Sequence, residues 1–576
     1  MKKLNSLLNA EWKLPTEDQE RIASLKAEFG IAHLTAQVLA TRNAGSLEEI
    51  SHFLNPSLDD LHDPKLLPDF DIACAEILRC KEDGKLIFIH GDYDVDGVTS
   101  TAILGRFLQK IGCKVYTHVP HRIKEGYGIH ASAVDRAHEM GAELFLTCDC
   151  GVGAHEQVAR AREFGMRVVV TDHHELSETL PNAHAVVNPH RSDSKYPFSG
   201  LCGAGVVFKL CAGIAQELDI PKAAFYRAYL DLVTLGTVAD MMPLIDENRV
   251  MVAFGLKELS VSKKVGLQEL LIQSISNFSP GDKLSSTKIS FTLAPRLNAP
   301  GRLRDSALSL ELLLEQDAAR ANEIVQQIER INYERRSSQE EAVNQAMEMI
   351  SELGMLDDPV LVVGHKDWHP GVVGLVAGKL LDKFNRPSFA MTIDGDKAKG
   401  SARSIPDYHL ADALHRVTHL LYSHGGHEMA AGFSLNSANI EEFRQAMIED
   451  AKSLLSAVKF VKTYHPDVTA QLNEINLASA KNLQKLGPFG MANSEPLFHI
   501  KNVKILEIKL TNNPNHGKLR LIQGDSELTA MAFNLPTIID HFNNGEEVDI
   551  IACLDIDTYR GVESVKMILR DIRHSE

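Results

Sequence analysis

The 576-residue sequence predicts an α/β protein: a parallel-sheet domain, a long connecting helix, a second α/β domain and a C-terminal β-barrel. Three observations predict it. Between 85 and 189, short apolar runs alternate with amphipathic stretches, the pattern of βαβ units and a parallel sheet. Residues 306–353 contain neither Pro nor Gly, and from about 317 they are charged and helix-favouring. The tail from 465 breaks into short strand-like runs with turn signals between them, as a small barrel does.

Taken in order, residues 1–70 read as a helical lead-in, with SLEEISHFL (46–54) as one amphipathic piece. KLIFIH (85–90) is a strand, VTSTAILGRFLQKIG (98–112) a helix and KVYTHVP (114–120) a strand. ASAVDRAHEMG (131–141) is a helix with a Gly stop. ELFLTCD (143–149), MRVVVTDHH (166–174) and AVVNP (185–189) are strands, and AHEQVARAREFG (154–165) is a helix. A helical block closes near Asp240. A connector helix of some 35 residues would span about 50 Å, which suits a rigid link between domains. PVLVVGH, PSFAMTI and the glycine-rich GGHEMAAGF belong to a second α/β unit. The expected division is 1–70, 71–300, 301–355, 356–460 and 461–576.

Composition excludes several classes. No apolar run approaches the ~18 residues of a membrane span, and Asn5, Asn9 and Glu11 interrupt the N-terminal apolar stretch. These features predict a cytoplasmic protein with no membrane partner. The eight cysteines include no CxxC pair, so neither a disulfide framework nor a zinc site is expected, and Cys148 and Cys150 read as small residues of a buried strand. The net charge of −17 argues against a broad basic face for duplex DNA but leaves room for a local basic groove. The tail carries more Asp and Glu than Lys and Arg, so a nucleic-acid role there depends on one face.

The chemistry concentrates where strands end. HGDYDVDGVTS (90–100) places Asp92, Asp94 and Asp96 at alternate positions after a strand, with His90 before them. LFLTCDCG ends in Asp149, and VVVTDHH in Asp172, His173 and His174; Asp240 closes GTVAD. In isolation Asp96 reads as a helix N-cap. Together, on neighbouring strands of a parallel sheet, these side chains converge beyond the carboxyl ends, where such sheets bind ligands. Carboxylates with one or two imidazoles suit Mn²⁺ or Mg²⁺. A bridging carboxylate such as Asp149 would hold two ions ~3.5–4 Å apart and support in-line displacement at phosphate.

HGDYDVDG, CDCG, TDHH and GTVAD resemble, in order, the four motifs of DHH phosphoesterases. PHRIKEGYG, APRLNAPGR, WHPGVVG, KGSARSI, GGHEMAAG and LGPFGMANSEPLF are similar to those of the RecJ exonucleases within them. The resemblance implies a DHH domain joined by a long helix to a DHHA1 domain, then an OB fold. It implies a divalent-metal exonuclease that degrades single-stranded DNA from a 5′ end to 5′-mononucleotides in recombination and repair, alongside single-strand binding protein and a RecQ-type helicase. Asp94, Asp96, Asp149, His173 and Asp240 would ligate metal, with His90 at a further ligand position. Asp92 would be a ligand or a neighbouring carboxylate. His174 would act at the scissile phosphate or leaving oxygen, with Asp172 orienting the histidines. Arg122, Ser401 and Arg403 would hold the 5′ phosphate, and Arg296, Asn298, Arg302 and His427 would contact substrate. Phe489, Phe498, Phe533 and Tyr559 are either base-stacking residues or barrel core. Two other readings stay open: a DHH phosphodiesterase acting on short oligonucleotides or cyclic dinucleotides, and a non-catalytic repair scaffold.

Overall fold

A computed structural model describes residues 6–575, except 123, 124, 127, 177, 178, 514, 534, 536, 537, 560 and 561, and except the side chains of 558 and 559, hence of Tyr559. The chain forms two compact units. One gathers 62–242 and 254–460, the other 1–61, 243–253 and 461–576.

The first unit opens on a five-stranded parallel sheet. Its strand order is Lys114–His118, Leu86–His90, Ala142–Cys148, Arg167–Thr171, Ala185–Val187. Val168 and Val170, with Phe88 and Phe145, pack one face against Val134, Ala137, Val158 and Ala161 of the crossover helices. Helices Val95–Lys110, Gly203–Glu217 and Lys222–Ala239 pack together beside the sheet. The chain leaves the Leu86–His90 strand for one edge and returns to its other side, so the carboxyl ends open at a switch point between Leu86–His90 and Ala142–Cys148.

Helix Ala318–Glu352 is one uninterrupted rod of 35 residues. Asp317 caps its start by accepting from the Arg320 N–H, and Gly354 follows its end in the left-handed region at φ 65°. Ile324, Val325 and Ile328 bury its first half. Ala342, Ala346 and Ile350 pack its second half against Leu361, Val363 and Val376. The second sheet runs Leu421–Gly426, Ala430–Asn436, Lys397–Arg403, Ser388–Asp394, Leu361–His365. Only its last pair is parallel.

In the other unit, strands Leu497–Leu510, His516–Gln523, Ser526–Phe533, Val562–His574 and Glu547–Tyr559 close into a five-stranded barrel, with Ser526–Phe533 and Val562–His574 parallel. The N-terminal helices share its core: Leu25, Val38 and Ile50 pack with Phe498, Ile550 and Leu569. Phe498 is thus barrel core and Phe489 lies half-buried against it, whereas Phe533 is exposed. The buried Arg249 ties 243–253 into this unit by donating to the carbonyls of Phe53, Lys485 and Leu486.

Candidate metal centre

The loop after Leu86–His90 turns directly into a helix. A Cβ on Gly97 would lie 2.5 Å from the Asp92 carbonyl oxygen, so the turn needs glycine there. The N-cap is Asp94, whose Oδ1 accepts from the Gly97 N–H at 3.1 Å. Asp96 does not cap this helix. It lies in the first turn and faces another one, accepting from Gly203 N–H at 2.6 Å and Ala204 N–H at 2.9 Å. Those amides open helix Gly203–Glu217, and a helix N-terminus favours a carboxylate. Asp92 is buried, and its Oδ1 has no hydrogen-bond partner.

Asp149 follows its strand in the left-handed region, at φ 62°, a conformation that costs a non-glycine residue about 1 kcal/mol or more. Its N–H donates to the Thr171 carbonyl at 3.0 Å, and its buried Oδ1 has no hydrogen-bond partner. That oxygen lies 3.1 Å from His173 Nε2. The same nitrogen is 3.7 Å from Asp240 Oδ2 and 3.8 Å from Asp96 Oδ2. Asp240 itself ends helix Lys222–Ala239.

Asp172 is fully buried and acts as a hub. Its Oδ1 accepts from the N–H groups of His173 and His174 and from His174 Nδ1 at 2.7 Å, and its Oδ2 accepts from Val152 N–H at 3.0 Å. Burial pushes this carboxyl up, but the bonds from His174 and Val152 outweigh it and hold Asp172 below the usual carboxylate range. Burial pulls His174 down, yet Asp172 prevails and raises it to about 9. His173 is lowered, chiefly by burial, and a neutral imidazole is the form that binds metal.

Three groups of ligand atoms lie within 4.8 Å of one another: Asp92, Asp94 and Asp149; Asp96, His173 and Asp240; and Asp149, His173 and His174. Asp149 and His173 recur, so the sets adjoin. Without a cation the acids are frustrated. Burial and then neighbouring carboxylates push Asp92, Asp94 and Asp149 up, and Asp240 up to about 9. The two partnerless oxygens, the neutral imidazole and the repelling carboxylates fit divalent cations of the Mn²⁺ or Mg²⁺ type. Thiolates do not compete, because burial pushes the Cys148 thiol up to about 12.

His90 lies outside these sets. Strand alternation carries its ring to the face of Phe88, stacked on Phe145 at 5.9 Å and 5.3 Å from His118. Its Nε2 is 3.3 Å from the Gly128 carbonyl, and burial lowers it to about 3.

A basic pocket adjoins the acids. The Arg122 guanidinium lies over the Tyr93 ring, 4.9 Å from its centroid. Arg302 is half-buried, with Nη1 3.4 Å from the Gly371 carbonyl, and burial first, then Arg122, Arg335 and Arg403, lower it to about 10. Ser401 and Arg403 share one face of a strand, with Oγ and Nη1 3.5 Å apart. Asn298 Oδ1 accepts from Val95 N–H at 3.2 Å, tying this helix to the acidic loop. Arg296, expected to touch substrate, is instead bonded to Glu329 and to the Thr292 carbonyl. His427 is exposed on the turn of the Leu421–Gly426/Ala430–Asn436 hairpin. Sequence reasoning missed the Gly203 and Ala204 amides; the LCGAG run (201–205) was their only signal.

These shifts have a stability consequence. An Asp that titrates near 3.9 when unfolded and, like Asp240, near 9 when folded binds its proton more tightly in the folded state. Its contribution is present at low pH and is lost as pH rises from about 4 through 9. In chelator, the melting temperature should therefore fall between pH 5.5 and 8. Mn²⁺ should raise it, and more at pH 8; equal metal-induced shifts at both pH values would contradict this assignment.

The comparisons with known proteins follow the same layout. Residues 86–237 match the DHH family, N-terminal domain; 357–453 match the DHHA1 domain; and 466–571 match the RecJ OB domain. The single-stranded-DNA-specific exonuclease RecJ of Bacillus subtilis is 34% identical over 568 residues, covering 98% of this chain and 71% of that protein. RecJ of Dickeya dadantii is 34% identical over 581 residues, covering 97% and 98%. The crystal structure of Thermus thermophilus RecJ in complex with Mn²⁺ matches with TM-score 0.82 and 28% identity over 98% of this chain and 80% of that one. The Mg²⁺ complex of that protein gives 0.77 at 26%, covering 98% and 79%. An exonuclease RecJ bound to manganese gives 0.59 at 34%, covering 69% and 96%.

Proposed function

The chain belongs to the RecJ family of single-stranded-DNA-specific exonucleases, and from that premise we propose that it hydrolyses single-stranded DNA from the 5′ end toward the 3′ end, releasing 5′-mononucleotides. The observation that carries the reading is the convergence of Asp92, Asp94, Asp96, Asp149, His173 and Asp240 beside a pocket of half-buried arginines. Two divalent cations held there supply Lewis acidity to the phosphate and a water acidified for in-line attack.

The chain's own side chains do the rest. Asp94, Asp96, Asp149, His173 and Asp240 would hold the cations, with Asp92 beside them. Asp172 fixes the His174 ring through Nδ1 and raises its hold on a proton. His174 then gives a proton to the departing 3′ oxygen from its other nitrogen. Arg122, Ser401 and Arg403 grip the 5′ phosphate, which guanidinium forks suit. Arg302 and Asn298 position the strand, and His427 closes on it from the hairpin. Arg296, bonded to Glu329, braces the helix that carries them.

The domain boundaries expected from the sequence are part of this reading: a DHH domain at 71–300, a connector at 301–355, a DHHA1 domain at 356–460 and an OB fold at 461–576. So are a role in recombination and repair, work with single-strand binding protein and a RecQ-type helicase, and a cytoplasmic place. No helix among the described residues is long and apolar enough to cross a membrane.

A long 5′-phosphorylated single strand, the same strand in duplex, and a dinucleotide, each with Mn²⁺, separate the readings. Successive mononucleotides from the single strand alone are expected. Turnover of the dinucleotide with none of the long strand would replace the exonuclease with a short-oligonucleotide phosphodiesterase.

A further inference from the structure

Between the acids Asp92 and Asp94 stands a half-buried aromatic ring, Tyr93. Its backbone is fixed by helix Ala294–Leu303. The amide of Val95, two residues on, donates to Asn298 Oδ1 at 3.2 Å. Gly301 of the same helix comes so close that a Cβ there would lie 2.7 Å from the Tyr93 carbonyl oxygen. Glycine permits that approach, and the turn that carries the ring is held in place.

Arg122 arrives on the neighbouring loop. Strands Leu86–His90 and Lys114–His118 are parallel partners with His90 beside His118, so the chain leaves both at the same edge of the sheet. Gly91 N–H donates to the His118 carbonyl at 2.9 Å and ties the two exits together. The other arginine of the terminal pocket, Arg403, is restrained by its own strand, donating to the Ala402 carbonyl at 2.8 Å. Arg122 has no such restraint: among the described residues, no hydrogen bond or ion pair holds its guanidinium. It rests on the Tyr93 ring, 4.9 Å from the centroid. An aromatic face attracts a guanidinium electrostatically. It consumes none of the N–H donors, which lie in the guanidinium plane and stay available to a phosphate.

We propose that Tyr93 is a positioning residue: its ring holds Arg122 beside the acidic turn and so sets the preference for a 5′-phosphorylated end over a 5′-hydroxyl end. The inference rests on the reading of the chain as a single-strand exonuclease with Arg122 on the terminal phosphate. Because Asp92 and Asp94 flank Tyr93, one turn then carries both metal-facing acids and the support of the phosphate anchor. That arrangement fixes the spacing between the terminal phosphate and the phosphate that is cleaved.

The full chain with Mn²⁺ is given two dT16 strands, one with a 5′ phosphate and one with a 5′ hydroxyl. The readout is the ratio of kcat/KM between them, which a general fault in folding or metal binding does not move. Tyr93→Leu should lower that ratio about tenfold, the scale of a partly desolvated cation–π contact, through a higher KM for the phosphorylated strand. Tyr93→Met, with a longer and adaptable apolar side chain, makes the same test if Tyr93→Leu does not fold. Tyr93→Phe should restore the ratio, because the ring face remains. Arg122→Gln should lower it too, and adding Tyr93→Leu should lower it no further. An unchanged ratio in the Leu or Met variant would overturn the inference alone. So would a ratio in Tyr93→Phe as low as theirs, or additive losses in the double variant. A wild-type chain indifferent to the 5′ phosphate would overturn it together with the assignment of Arg122. One that degraded neither strand would overturn the exonuclease reading beneath both.

Discussion

Asp149→Ala is expected to abolish strand hydrolysis, by on the order of 10³-fold or more, and to leave the chain folded. Asp149 belongs to two of the three ligand groups, and its Oδ1 lies 3.1 Å from His173 of the third, so its loss weakens the centre as a whole, and metal-assisted attack carries several kcal/mol of the barrier. The fold survives because the side chain contributes little to it. Its Oδ1 has no hydrogen-bond partner, and Asp96, Asp94, Asp92 and Asp240 all press its proton affinity up. Removing it relieves that repulsion. In chelator the variant should melt at or above the wild-type temperature, and Mn²⁺ should raise its melting temperature less. Mononucleotide release and thermal melts, with and without metal, check both halves. Cleavage at the wild-type rate would remove the centre described above.

Gly203→Ala should produce the next largest loss, about 10²-fold in turnover, the scale expected when a reacting group is displaced by about 1 Å. The added Cβ would lie 2.5 Å from Asp149 Cβ and 2.6 Å from its Oδ1. Either Asp149 or the start of helix Gly203–Glu217 must give way. The second choice also shifts the Gly203 and Ala204 amides that hold Asp96. Gly378→Ala makes a matched control, because nothing lies within 4 Å of the Cβ it would add on helix Val373–Phe384. That variant should keep full activity and gain up to ~1 kcal/mol of stability from helix propensity. Equal activity in the two variants would show that close approach at Gly203 does not position Asp149.

Much of this was legible in the sequence, for identifiable reasons. Apolar runs such as LIFI and VVVT, alternating with amphipathic helices, can only be buried as a parallel sheet, and such a sheet presents its strand-end residues along one edge. The convergence of Asp94, Asp149 and His173 was therefore readable from spacing. The uninterrupted rod at 318–352 was equally plain, because nothing in it breaks a helix. Contacts between residues distant in sequence were not legible. Asp96 reads as a cap, because the Gly203 and Ala204 amides that claim it lie more than a hundred residues away. His90 reads as a ligand by position, but strand alternation turns its ring to Phe145. Arg296 reads as a substrate contact until Glu329, on the long helix, is seen to take it. The lead-in helices show no sequence sign that Leu25 and Ile50 share a core with Phe498.

Anomalous scattering from crystals grown with Mn²⁺ would test the central claim most directly. Two peaks about 3.5–4 Å apart, with Asp149 between them and Asp94, Asp96, His173 and Asp240 around them, are the predicted result. Manganese bound elsewhere, or at a single position that leaves Asp149 Oδ1 without a partner, would contradict it.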